Sequence, residues 1–259
     1  MYRLLVSDFD GTLIDSDEAI PLSTMVEIDR IRRNGVKFAV ASHRILKSIL
    51  DYNRDFPFLD YVISCDGAYV YDVVHRKALV KKPLGASVIK RIKKLYSDCE
   101  IFFGTVHENH LCKGDVVYST IKNRRVSFDE FYETHKNLVY KLEIKFSVKK
   151  ERDNAFQEIE ELEIPIHLNK IDRKKDYRVE ITSKEALKTL GLEKICKKEH
   201  VSLDEVVCVG DSDDDIPILL SVGKSVVVSN GSKKVKKVAS MQTSSNETKG
   251  VEKVIKKLF

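Results

Sequence analysis

The sequence predicts an α/β protein: a doubly wound, mainly parallel sheet core interrupted by an inserted α+β domain. Three observations carry this. Short apolar runs of the kind buried on both faces of a parallel sheet alternate with helical patterns before residue 83 and again after residue 182. Between those points the strands alternate apolar and polar residues, the mark of a sheet with one wet face. With 259 residues, 42% of them hydrophobic and 33% charged, the chain can bury a core domain plus an insertion without staples. The expected division is core 1–82, insertion 83–182, core 183–259.

In order, Tyr2 to Phe9 is a buried strand ending in Asp8-Phe9-Asp10-Gly11. Ser23 is placed to cap a helix whose Met25, Ile28 and Ile31 recur at helical spacing, and Asn34-Gly35 stops it. Lys37 to Ser42 is a second buried strand, Arg44 to Asn53 a helix, and Tyr61 to Cys65 a third strand. Ala68 to Lys82 reads as a hairpin broken near His75-Arg76. The insertion opens with a helix carrying Val88, Ile89, Ile92 and Leu95 on one side. Farther on, Tyr140, Leu142, Ile144, Phe146 and Val148 alternate with Lys141, Glu143, Lys145 and Ser147, and the second set is expected in water. A helix over Asn154 to Leu162 and strands over Ile164 to Ile171 and Tyr177 to Thr182 complete it. The core resumes with a helix from Lys184 to Glu199, buried strands at Val206 to Val209 and Ser225 to Val228, and closing helices.

Composition excludes several classes. No apolar run approaches the roughly 18 residues of a membrane span, and Asp8 and Asp10 interrupt the N-terminal stretch before a secretory signal forms, so the cytoplasm is expected. Five cysteines without a C-x-x-C pair argue against a disulfide framework or zinc ribbon. A net charge of +5, from 45 basic and 40 acidic residues interleaved along the chain, gives no reason to expect nucleic acid. The run Lys233-Lys234-Val235-Lys236-Lys237 reads as the solvated face of a helix.

The chemistry sits at strand ends. Asp8 and Asp10 lie at and just beyond the carboxyl end of the first strand, where open parallel sheets place their ligands. Taken alone, Asp-x-Asp-Gly is also what an acidic turn looks like. A second acidic group, Asp211-Ser212-Asp213-Asp214-Asp215, again directly follows a buried strand. Four or five carboxylates in one crevice repel by about 4 kcal/mol per pair at about 4 Å, with an effective dielectric of about 20, so a folded site needs a cation. Oxygen-only ligands select magnesium, which typically takes one or two carboxylates plus substrate phosphate. Donors for a phosphate stand at Ser42-His43-Arg44, where the second strand ends, and at Lys184.

In these residues the chain resembles the haloacid dehalogenase-like phosphatases, and within them the Cof-type sugar-phosphatase branch, over nearly its whole length. Asp8-Phe9-Asp10-Gly11-Thr12-Leu13 matches the first motif in full. Ser42-His43-Arg44 stands where that branch has Thr-Gly-Arg, Cys65-Asp66-Gly67-Ala68 where it has x-Asn-Gly-Ala, and Ser183-Lys184-Glu185-Ala186-Leu187 is similar to its Lys-Gly-x-Ala-Leu. Gly210 to Asp215 corresponds to Gly-Asp-x-x-Asn-Asp, and Ser245-Asn246 with Gly250-Val251 echoes its C-terminal signature. The resemblance implies a phosphatase in which Asp8 becomes an aspartyl phosphate and Asp10 is the general acid and base. It implies that Phe9, Ser42, His43, Lys184 and Asp214 hold the phosphoryl group. Magnesium would lie on Asp8, the Asp10 backbone carbonyl, Asp211 and Asp215. Arg44 and Asp66 would meet the rest of a small phosphorylated metabolite. The family's Asn is Asp214 here, its Gly is His43, and a second Asn is Asp66. The alternatives are a phosphomutase of the same superfamily and a non-catalytic phosphometabolite sensor.

Other motifs are weaker. His107-Glu108-Asn109-His110 is one residue short of H-E-x-x-H and reads as a polar loop. Gly223-Lys224-Ser225 lacks the earlier glycine of a P-loop, position 218 being Ile. Phe102, Phe103, Phe128, Phe131 and Tyr132 read as the insertion's own core.

Overall fold

The computed structural model describes residues 1–119, 121, 123–173 and 176–259. They form two compact units: Met1–Arg44 with Ile49–Val80 and Leu187–Phe259, and Lys81–Ala186 with Ile45–Ser48.

The first unit opens with β1 (Leu4–Asp8), every residue of which is buried. It continues through α1 (Leu22–Arg33) to β2 (Lys37–Ala41), then α2 (Leu46–Leu50), β3 (Tyr61–Ser64), β4 (Tyr69–Asp72) and β5 (Lys77–Lys81). Ser23 does not cap α1. Pro21 precedes the helix, its ring fixing φ at −55°, and Ser23 sits inside the first turn, donating its hydroxyl to Glu252 Oε2 at 2.6 Å. The helix expected over Arg44 to Asn53 is α2 followed by a single 3₁₀ turn, Asp51–Asn53.

The inserted unit contains α3 (Ala86–Leu95), β6 (Glu100–Gly104), β7 (Asn109–Lys113), β8 (Val116–Ser119), β9 (Arg124–Ser127) and α4 (Phe128–His135). After these come β10 (Lys141–Phe146), α5 (Lys149–Glu160), β11 (Ile166–Arg173) and β12 (Asp176–Ser183). The strands form one antiparallel sheet in the order β11-β12-β10-β6-β7-β8-β9. Ile101, Phe103, Leu142, Ile144, Val179 and Ile181 line one face and pack with Val88, Ile92, Phe131 and Ile159 of its helices. Two expectations fail on the other face. Phe102 points away from that core, its ring centroid 4.4 Å from the Arg178 guanidinium. Lys141 and Glu143, expected in water, are buried together with Glu180. The three charges are tolerated because they pair: Lys141 donates to Glu143 and, at 3.1 Å, to Glu180, and Arg178 donates to Glu143 at 2.6 Å. Of the polar loop expected at His107 to His110, His107 and Glu108 do lie between β6 and β7, but Glu108 and His110 are buried. Asn109 to Lys113 is a strand, and Glu108 accepts from the Ser119 hydroxyl and the Ile121 N–H.

The chain then returns to the first unit with α6 (Lys188–Glu199), β13 (Val206–Gly210), α7 (Ile216–Leu220), β14 (Lys224–Val227), α8 (Val235–Val238), β15 (Met241–Gln242) and α9 (Gly250–Leu258). The helix starts at Lys188, not Lys184, because Leu187 is extended at φ −133°. The eight strands lie in the order β15-β14-β13-β1-β2-β3-β4-β5, parallel from β15 to β3, with β4 antiparallel to β3. Leu4, Val6, Ala39 and Ile63 pack with Leu192, Ile195, Ile218 and Val235, while Leu5, Phe38 and Val62, from the opposite face, are equally buried. Burial on both faces is what turned each strand into a continuous apolar run. Strand order reverses between β1 and β13, and a ligand of such a sheet belongs beyond the carboxyl ends of those two strands. Among the described residues no helix is long and apolar enough to cross a membrane.

Candidate active site

Register brings the acidic segments together. Ser7 of β1 lies opposite Val209 of β13, so Asp8 and Gly210-Asp211 leave the sheet side by side. Gly11 makes the approach feasible: its φ is +75°, and a Cβ there would lie 2.9 Å from Asp211 Oδ2. Thr12, buried, donates its hydroxyl to Asp211 Oδ1 at 2.9 Å. Asp215 turns back on the strand end, its Oδ2 accepting from the N–H groups of Asp211 and Ser212, each at 3.1 Å. Asp8, Asp211 and Asp215 each offer an oxygen, and these oxygens lie within 4.8 Å of one another.

One buried ammonium bridges this cluster. Lys188 Nζ, at the first residue of α6, donates to Asp8 Oδ1 at 2.9 Å and to Asp215 Oδ1 at 2.8 Å. Three carboxylates against one ammonium leave two negative charges, the complement of a divalent cation. The titration of the groups reflects this imbalance. Burial, and then the field of Asp215, push the Asp8 carboxyl well above the usual carboxylate range and Asp211 up to about 6. Burial opposes the charge on Lys188, but Asp215, Asp8 and Asp66 outweigh it and its pKa is raised. Hard oxygen donors, close together and short of positive charge, fit magnesium.

Asp10 is held differently. Arg44 grips its carboxylate with two nitrogens, Nη2 to Oδ1 at 2.7 Å and Nε to Oδ2 at 3.0 Å, a bidentate geometry that fixes the plane of the carboxylate. The guanidinium in turn lies 5.3 Å from the ring centroid of buried Phe9 and 5.9 Å from that of Tyr52. Arg44 is thus engaged with Asp10, where the resemblance implied substrate. His43 Nε2 is 3.7 Å from Asp10 Oδ2. Ser42 is fully buried, its Oγ accepting from the Arg44 N–H at 3.1 Å. Asp66 lies in the turn after β3, its N–H donating to Ser42 O at 3.2 Å.

The expected lysine, Lys184, belongs to the inserted unit, where its N–H donates to Pro165 O at 3.1 Å. Lys188 is the residue that sequence reasoning passed over. A signal for it was present: the family's Lys-Gly-x-Ala-Leu has two residues between lysine and alanine. Lys184-Glu185-Ala186 has one, whereas Lys188-Thr189-Leu190-Gly191-Leu192 keeps the frame with a small residue and leucine in place. Asp214 is exposed beside buried Asp215. An exposed carboxylate exchanged for an amide of equal size carries little cost, so Asp214→Asn is expected to leave kcat/KM unchanged or higher. A tenfold fall, about 1.4 kcal/mol, would show that Asp214 acts in the reaction.

Likeness to known proteins gives the class that this fold and site belong to: an enzyme, and among enzymes a phosphatase. The chain belongs to the haloacid dehalogenase-like hydrolases, the family whose model matches residues 5–255. It is 23% identical to the phosphatase YwpJ of Bacillus subtilis, covering 99% of this chain and 100% of that one. It is 25% identical to the 5-amino-6-(5-phospho-D-ribitylamino)uracil phosphatase YitU of the same organism, covering 99% and 97%. Among solved structures it is similar to the phosphatase BT1666 of Bacteroides thetaiotaomicron, with a TM-score of 0.82 at 21% identity, covering 99% and 95%.

Proposed function

We propose that the chain is a magnesium-dependent phosphomonoester hydrolase that acts on a small phosphorylated metabolite, a sugar or polyol phosphate, through an aspartyl phosphate on Asp8. The observation that carries this reading is the buried Asp8 carboxylate at the end of β1, held by Lys188 beside Asp211 and Asp215. Asp8 attacks phosphorus as the bond to the leaving alcohol breaks, and Asp10 donates the proton that alcohol needs. Asp10 then takes a proton from water, whose oxygen attacks the aspartyl phosphate and frees inorganic phosphate and Asp8. Arg44 keeps the Asp10 carboxylate oriented for both transfers. Lys188 and the Ser42 loop would hold the phosphoryl oxygens. Asp8, Asp211 and Asp215 would hold magnesium, which when bound would supply charge neutralisation at the phosphoryl group. The substrate class rests on the motif resemblance and on the phosphoribityl compound in the name of YitU.

The test is a panel of phosphorylated sugars, polyols and nucleotides assayed for released phosphate with and without magnesium. No release from any member would overturn the reading.

Cation binding carries its own pH signature. Asp211 has its folded pKa raised to about 6 from an unfolded value of about 3.9. In the metal-free chain its contribution to stability is therefore complete below about pH 4 and lost as pH rises through about 6. Magnesium requires the ionised form, so its stabilising effect grows over the same interval. The increase in Tm on adding magnesium is expected to be larger at pH 7.5 than at pH 5. Equal shifts would refute the carboxylate assignment.

A further inference from the structure

The turn that follows β3 makes backbone contacts to the site, beside the field its Asp66 carboxylate exerts on Lys188. Cys65, Asp66 and Gly67 have φ values of 47°, 55° and 101°, three left-handed residues in succession. L-residues avoid this region because Cβ crowds the following carbonyl, with Gly free to enter it and Asp and Asn the side-chain-bearing residues that do so most readily. The turn is closed by the Ala68 N–H on Cys65 O at 3.0 Å. In this conformation its amides serve the neighbouring loop: Cys65 N–H donates to Arg44 O at 3.0 Å and Asp66 N–H to Ser42 O at 3.2 Å. At Gly67 the chain meets the start of the lysine-bearing helix, since a Cβ there would lie 2.3 Å from Leu187 O, one residue before Lys188. One three-residue turn therefore contacts both segments proposed above to hold phosphate.

We propose that Asp66 is a positioning residue: its left-handed backbone sets the spacing between the Ser42–Arg44 loop and the Leu187–Lys188 backbone, and through it the geometry in which phosphate is held. This rests on the phosphatase reading of the site. It moves Asp66 from the substrate-contacting role implied by the resemblance to one played by the main chain.

The distinction is measurable because left-handed preference and charge separate across three substitutions. Asp66→Ala removes the local preference for positive φ. Asp66→Gly restores it without a side chain, and Asp66→Asn restores it without a charge. The dissociation constant of inorganic phosphate, measured by titration calorimetry with magnesium present, is the primary readout, beside KM, kcat and Tm. Asp66→Ala is expected to weaken phosphate binding and raise KM by about fivefold or more. Asp66→Gly and Asp66→Asn are expected to recover most of that loss. If Asp66→Ala lowers Tm but leaves phosphate affinity intact, the turn is only structural and the proposal fails. If Asp66→Asn and Asp66→Gly fall as far as Asp66→Ala, the carboxylate carries the role and the proposal also fails. Phosphate binding needs no turnover, so a wild-type chain that binds phosphate yet hydrolyses nothing defeats the hydrolase reading and leaves this one standing. A wild-type chain that binds no phosphate defeats both.

Discussion

Asp8→Asn is expected to remove phosphate release by at least about 10³-fold while leaving the chain folded. An amide does not attack phosphorus, and the neighbouring carboxylates are otherwise engaged. Asp215 accepts from two backbone N–H groups and from Lys188, and Asp211 from Thr12. The substitution also carries an unusual stability signature. The Asp8 carboxyl is raised well above the usual range by its burial and by Asp215, so its ionised form is a cost to the metal-free fold. Loss of that charge should leave Tm unchanged or higher at pH 7 without magnesium. Catalysis abolished in a protein no less stable than wild type separates a nucleophile from a core residue. Retention of more than a few per cent of turnover would sink the covalent route.

Lys188→Met is expected to be severe in both respects. The methionine has similar reach but no charge, and it leaves Asp8 and Asp215 facing each other across the position the ammonium held. Removing one partner from a buried ion cluster typically costs about 3–5 kcal/mol, and losing a charge aimed at a transferring phosphoryl group costs about 10²–10³ in rate. Lys184→Met should change kcat/KM by less than about threefold, since substitution of an exposed side chain is typically worth within about 0.5 kcal/mol. Urea unfolding and steady-state kinetics on the two variants check the assignment, which is wrong if Lys184→Met proves the more damaging.

The core was legible because parallel strands buried on both faces leave a strong trace: Leu4-Leu5-Val6, Phe38 to Ala41 and Val206 to Val209 are apolar without interruption. The acidic groups were legible for a related reason, each following such a run directly. What failed was local. Lys184 and Lys188 are one helical turn apart, and only the extended backbone at Leu187 decides which begins α6. In the insertion, Lys141 and Glu143 obey the alternation of a wet face, yet they are buried because Glu180 and Arg178, roughly 40 residues away, complete their charges. Pattern reading sees period, not partner. The strands between residues 100 and 127 are short and mixed, and nothing in their sequence separated one from the next.

The position of β1 between β2 and β13 also governs how the chain must be made. Until Val206 to Gly210 emerges from the ribosome, β1 has one neighbour, and its other edge is a row of unpaired amides flanked by leucine and valine. Translation at about 5–20 residues per second separates the two strands by roughly ten to forty seconds. Throughout that interval the nascent chain carries an open edge of the sort that recruits other strands, and the carboxylate cluster lacks Asp211 and Asp215. The insertion, whose strands pair only with one another, is finished first. The strands of the insertion are therefore all synthesised before Val206 to Gly210, the stretch that covers the open edge of β1.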